Sequence, residues 1–97
     1  MRDLGDGWSI EWCGPEVFSL FHCGMSHGFD VRAGTGETDG AAVVFVTDIR
    51  GNWDPPHEKE QISDKERAEM IAALRRINRG GVLRRHFARR VVLLEAW

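Results

Sequence analysis

His22, Cys23 and His27 fall together in the stretch HCGMSH, and imidazole with thiolate is a zinc-binding combination. A structural zinc takes four ligands. Cys13 is the one further thiol in the chain, and no second ligand cluster follows. If the residues before Cys23 form a strand, His22 and Cys23 also point to opposite faces of it. No metal is therefore assigned. The four histidines, His22, His27, His57 and His86, are of the residue type that serves as general acid or base. None stands at a catalytic spacing from a serine, cysteine or carboxylate, so no catalytic residue is assigned and the chain is not read as an enzyme. The glycines of GTGETDG have neither the lysine nor the following helix of a phosphate-binding loop, and the segment reads as a hairpin tip. No cofactor is assigned.

Two charged stretches carry more. RRINRGGVLRRHFARR holds seven arginines: Arg75, Arg76, Arg79, Arg84, Arg85, Arg89 and Arg90. The planar guanidinium fork matches phosphate, and an interleaved aromatic such as Phe87 can stack on a base. These residues are the candidate polyanion site. Against it stands a pI near 6.1, low for a nucleic-acid-binding domain, so nucleic acid is the alternative reading. The second stretch, NWDPPHEKEQISDKE, places Trp53 beside Asp54, His57, Glu58 and Glu60. An aromatic anchor ringed by carboxylates suits a basic protein partner, and these five are the candidate protein-binding residues.

The whole chain sets the frame for these sites. Its 97 residues make one domain, 1–97, of ordinary composition, with 42% hydrophobic and 29% charged residues. The net charge of −2 hides an asymmetry. Residues 1–64 carry four basic and twelve acidic side chains, and residues 65–97 nine basic and three acidic. No apolar run approaches the ~18 residues that span a bilayer, and the first residues have no signal-peptide pattern. A cytoplasmic location is expected, with Cys13 and Cys23 reduced there.

Elements to position the sites follow from periodicity. GWSIEW alternates Trp8, Ile10 and Trp12 against Ser9 and Glu11, the pattern of a half-buried strand. After a CGP turn, EVFSLFHC is a second strand with Phe18 and Leu20 on one side. GMSHG breaks it, and FDVRA is a third. AAVVFVTDI is apolar without alternation, as expected of a central strand buried on both faces. Pro55 and Pro56 stiffen the exit from it. Ser63 and Glu66 form a capping box, and Met70, Ile71, Leu74 and Ile77 recur at helical spacing until Gly80 and Gly81. The helix should run from about 64 to 79. VLRRHFARR is open between strand, loop and short helix. VVLLEAW supplies a last strand, with Trp97 anchoring the terminus. The fold expected is α+β, a mostly antiparallel sheet of about five strands with one long helix packed on one face. Its core should hold Ile10, Val44, Val46, Ile71, Leu74, Val92 and Leu94. An apolar strand 91–94 at a sheet edge also predicts a homodimer.

Residues Val43 to Ile77 carry a resemblance. An apolar strand, then WDPP, then IS and the helix ERAEMI are similar to the corresponding segment of small bacterial immunity proteins of polymorphic-toxin systems. That resemblance implies a protein that inactivates a toxin by binding it, with no catalysis of its own. RRINRGG departs from the pattern.

Overall fold

The computed structural model describes residues 2–46, 49 and 51–95. Along the chain come strands β1 (Arg2–Gly5), β2 (Trp8–Gly14), β3 (Val17–His22), β4 (Met25–Ala33) and β5 (Ala42–Phe45). Helices α1 (Asp64–Arg79) and α2 (Val82–Phe87) follow, then strand β6 (Val91–Leu94). The six strands form one sheet in the order β1-β2-β3-β4-β5-β6. The first five make an antiparallel meander, whereas β6 lies parallel to β5 with Ala42 opposite Val91. A parallel neighbour requires a crossover, and the two helices supply it.

The sheet has six strands, not about five. Strand β1 carries little apolar alternation; it forms because Asp6 and Gly7 both adopt positive φ, 55° and 81°, and fold Arg2–Gly5 back on β2. Positive φ at both turn residues is the primed-turn geometry whose twist matches paired strands. Cys23 and Gly24 do the same, at 51° and 78°, so the β3–β4 turn takes only two residues and β4 begins at Met25. GMSHG is therefore mostly strand, with Gly28 inside it. GTGETDG joins β4 to β5 and contains a single 3-10 turn, Gly36–Thr38. VLRRHFARR, the segment before β6, is mostly the short helix α2.

Helix α1 starts and stops where its sequence signals lie. The Ser63 hydroxyl accepts from the Glu66 N–H at 3.1 Å, and the Glu66 carboxylate accepts from the Ser63 N–H at 3.0 Å. At the other end the Gly80 N–H returns to the Arg76 carbonyl at 3.0 Å, and Gly81, at φ 79°, redirects the chain into α2. The face of α1 against the sheet is Met70, Ala73, Leu74 and Ile77. It meets Trp8 and Ile10 of β2, Phe18 and Leu20 of β3, Phe29 and Val31 of β4, and Ala42 and Val44 of β5 in one core cluster.

Of the expected core, Ile10, Val44, Val46 and Leu74 are fully buried. Ile71 is only half-buried, because the stripe turns toward Ala73 and leaves it at the margin. In β6 the phase is inverted. Val91 is buried and Leu93 packs on the core, while Val92 and Leu94 sit on the other face and are half-buried. A shift of one residue in a strand exchanges its faces. Trp97 lies outside the described residues.

Candidate functional site

Strand β4 is longer than the partner on its far side. Its first half, Met25 to Asp30, pairs with β3 only, and β5 joins at Val31. That leaves backbone groups at Ser26 and Gly28 facing an open edge, and residues 51–62 close it. The Asp54 N–H donates to the Ser26 carbonyl at 2.9 Å, and the Gly28 N–H donates to the Asp54 carboxylate at 2.8 Å. One residue thus stands in for a strand, main chain and side chain together.

The loop is also closed on itself. Asn52 and Gln61 form an antiparallel bridge, the Ile62 N–H reaches the Gly51 carbonyl at 2.6 Å, and the Trp53 N–H reaches the Glu60 carbonyl at 3.1 Å. Asn52 donates its side-chain amide to the Glu58 carbonyl, and the His57 N–H donates to the Asp54 carbonyl at 3.0 Å. The Pro55–Pro56 bond is cis. Below this neck the Trp53 indole is 2% exposed and tilts against Trp8, ring centres 6.4 Å apart. Trp8 in turn stacks on His22.

Of the five residues assigned to protein binding, the fold thus spends two inwardly. Trp53 is in the core and Asp54 is half-buried on β4, so neither presents a free side chain. The other three sit at the loop's tip. Glu58 is exposed, and His57 holds the Glu60 carboxylate at 2.9 Å, with those side chains 38% and 58% exposed. With exposed Lys59 between the two glutamates, the result is a weakly acidic tip, of net charge −1 with His57 neutral, on a base anchored at both core and sheet.

The arginines divide in a similar way. Arg75 is bound by Glu95, whose hydrogen bond first and charge second raise the guanidinium pKa further. Arg76 donates to the Leu4 carbonyl at 2.9 Å and faces Asp6 at 3.6 Å, tying α1 to the first hairpin. Arg90 reaches the Glu37 carbonyl at 3.5 Å. Arg79, Arg84, Arg85 and Arg89 have no carboxylate partner among the described residues. Arg84 and Arg85 directly precede His86, which lies flat on Trp12 at 3.7 Å with Phe87 edge-on to both. Trp12 serves as a bracket between β2 and α2 that sequence periodicity places only on a strand face.

The histidine-cysteine group is dispersed. His22 bonds the Gly7 carbonyl at 3.2 Å, Cys23 is exposed in its turn, and His27 is buried beside Phe29. Cys13 and Cys23 are both free thiols. Among the described residues no helix is long and apolar enough to cross a membrane.

Residues 32–84 match the family model described as Immunity protein 74. The matched segment runs from the end of β4 through β5, the whole 51–62 loop and α1 into α2; β6 lies beyond it. No curated protein and no solved structure matches the chain.

Proposed function

Because the chain belongs to the immunity protein 74 family, whose model covers more than half of it, we propose that it neutralises a toxin by binding it. In this reading it works in the cytoplasm, as a binding module without chemistry of its own. The contact is made by the tip of the 51–62 loop, and its partner is a basic surface on the toxin. The observation that carries the reading is the division of labour in that loop. Trp53 and Asp54 fix its base, so Glu58, Glu60 and His57 are displayed on a preset backbone. A preorganised segment gives up less conformational entropy on binding than a mobile one. Carboxylates on its rim favour fast encounter with a basic partner.

The test is growth. A candidate toxin, sought among the genes that neighbour this one, is expressed in a sensitive bacterial host, alone and with this chain. Co-expression restores growth, and the Glu58→Lys, Glu60→Lys double variant loses that protection while remaining folded. Unchanged protection by the double variant refutes the loop assignment. A lack of protection by the wild-type chain against that toxin refutes the immunity reading.

A second reading, nucleic-acid binding, is supported by Arg79, Arg84, Arg85 and Arg89, which have no carboxylate partner among the described residues, and by the Trp12–His86 stack next to Arg85 in the chain. It predicts RNA or DNA affinity that falls steeply with salt and disappears in the Arg84→Glu, Arg85→Glu double variant.

A further inference from the structure

Strand β6 ends the sheet, and among the described residues nothing pairs with its outer edge. The Ala42 N–H donates to the Arg90 carbonyl at 2.8 Å, and this fixes the phase of the parallel ladder. Arg90, Val92 and Leu94 turn their backbone groups toward β5, whereas Val91 and Leu93 turn theirs outward. An outward row of N–H and C=O groups is a template for another strand.

Beside that edge runs a groove of about 540 Å³, walled by Arg75, Asn78 and Arg79 of α1 and floored by Val91, Val92 and Leu93. Arg90 and Glu95 stand at its ends. Glu95 is already held by Arg75. Arg79 and Arg90 have no carboxylate partner among the described residues, so the groove carries uncompensated positive charge. We propose that this edge receives an extended acidic segment of a partner protein, which adds to the sheet beside β6 and places its carboxylates on Arg79 and Arg90.

Backbone pairing provides the affinity in strand addition, and pockets beside the edge provide the specificity. With about 3.3 Å of rise per residue, β6 offers some 13 Å of edge, room for a segment of four or five residues. A second copy of the chain fits less well. Two β6 edges paired about a twofold axis lay both α1 helices on the same face, with the uncompensated Arg79 of each copy turned toward that of the other. Like charges brought together across an interface oppose association. An acidic strand instead meets the arginines with opposite charge. This surface is separate from the 51–62 loop; its β6 strand lies beyond the segment matched to the family, whereas Arg75, Asn78 and Arg79 lie within it.

The experiment is amide hydrogen exchange by NMR on the full chain. The probe is a synthetic peptide of alternating valine and threonine flanked by glutamates; its control carries lysines in place of the glutamates. With the acidic peptide, exchange at the outward Leu93 amide slows by about tenfold or more, while Val92, already in the ladder with β5, changes little. Arg79→Glu weakens the peptide about tenfold. Leu93→Pro removes the outward donor at a position where an edge strand tolerates proline, and abolishes binding. If Leu93→Pro does not fold, the exchange result on the unaltered chain and the Arg79→Glu titration decide alone. Three outcomes overturn the proposal. Leu93 exchange is unchanged while resonances near Arg79 and Arg90 shift, which is charge attraction without strand addition; the lysine peptide binds as well as the acidic one; or Leu93 is protected without peptide in a species of twice the chain's mass, which assigns the edge to a second copy.

Discussion

Replacing Trp53 by alanine separates a tryptophan that builds the loop from one that grips a partner. A buried aromatic side chain withdraws about 150–250 Å² from water. At about 25 cal/mol per Å² that is roughly 4–6 kcal/mol, of which alanine keeps only a methyl's share. Cavity-forming Trp→Ala changes cost about 3–5 kcal/mol, and a 2% exposed indole packed on Trp8 belongs with them. In a domain of this size each kcal/mol moves the melting temperature by about 4–8 °C, so a fall of at least ~12 °C is expected. Urea unfolding followed by far-ultraviolet circular dichroism provides the free energy, with Trp53→Phe as a control that retains most of the stability. A loss under about 0.5 kcal/mol, the range of surface substitutions, combined with lost toxin binding, would refute the placement of this side chain in the core.

Asp54→Ala leaves the Gly28 N–H without its acceptor at a half-buried position, and unfolding should register a loss of about 1–2 kcal/mol; Asp54→Asn, which keeps an acceptor, should lose less. Ser63→Ala removes the helix cap and should lower stability by about 1 kcal/mol in the same assay. Cys13 and Cys23 are exposed free thiols, so Ellman's reagent should titrate both in the folded protein without reductant, and a masked thiol would contradict this.

Much of the fold was legible in the sequence, because its strongest signals are local. The Ser63–Glu66 box and the glycine pair bound α1 at residues 64 and 79, as the apolar period implies. Alternation in GWSIEW likewise puts Trp8 and Ile10 inward. What escaped depends on partners distant in sequence. Strand β1 exists through its pairing to β2, and the local mark of it in the sequence is the Asp6-Gly7 turn, a hairpin signal. The phase of VVLL cannot be read from four consecutive apolar residues; contact with α1 and the ladder to β5 choose it. The site was half legible. Composition marks 52–66 as acidic and aromatic, but the vacant edge of β4 that draws Trp53 and Asp54 inward is a property of the assembled sheet. The arginine run divides for the same reason, since Glu95, Asp6, Leu4 and Glu37 come to it only in the folded chain.

The most direct test of a toxin-neutralising acidic tip is the association rate of this chain with the toxin it protects against in the growth test, at low and high salt. The account predicts that Glu58→Lys, Glu60→Lys slows association by about tenfold or more at low salt, that the difference shrinks as salt rises, and that unfolding stays within about 0.5 kcal/mol of wild type. Association at the wild-type rate by the folded double variant would contradict it.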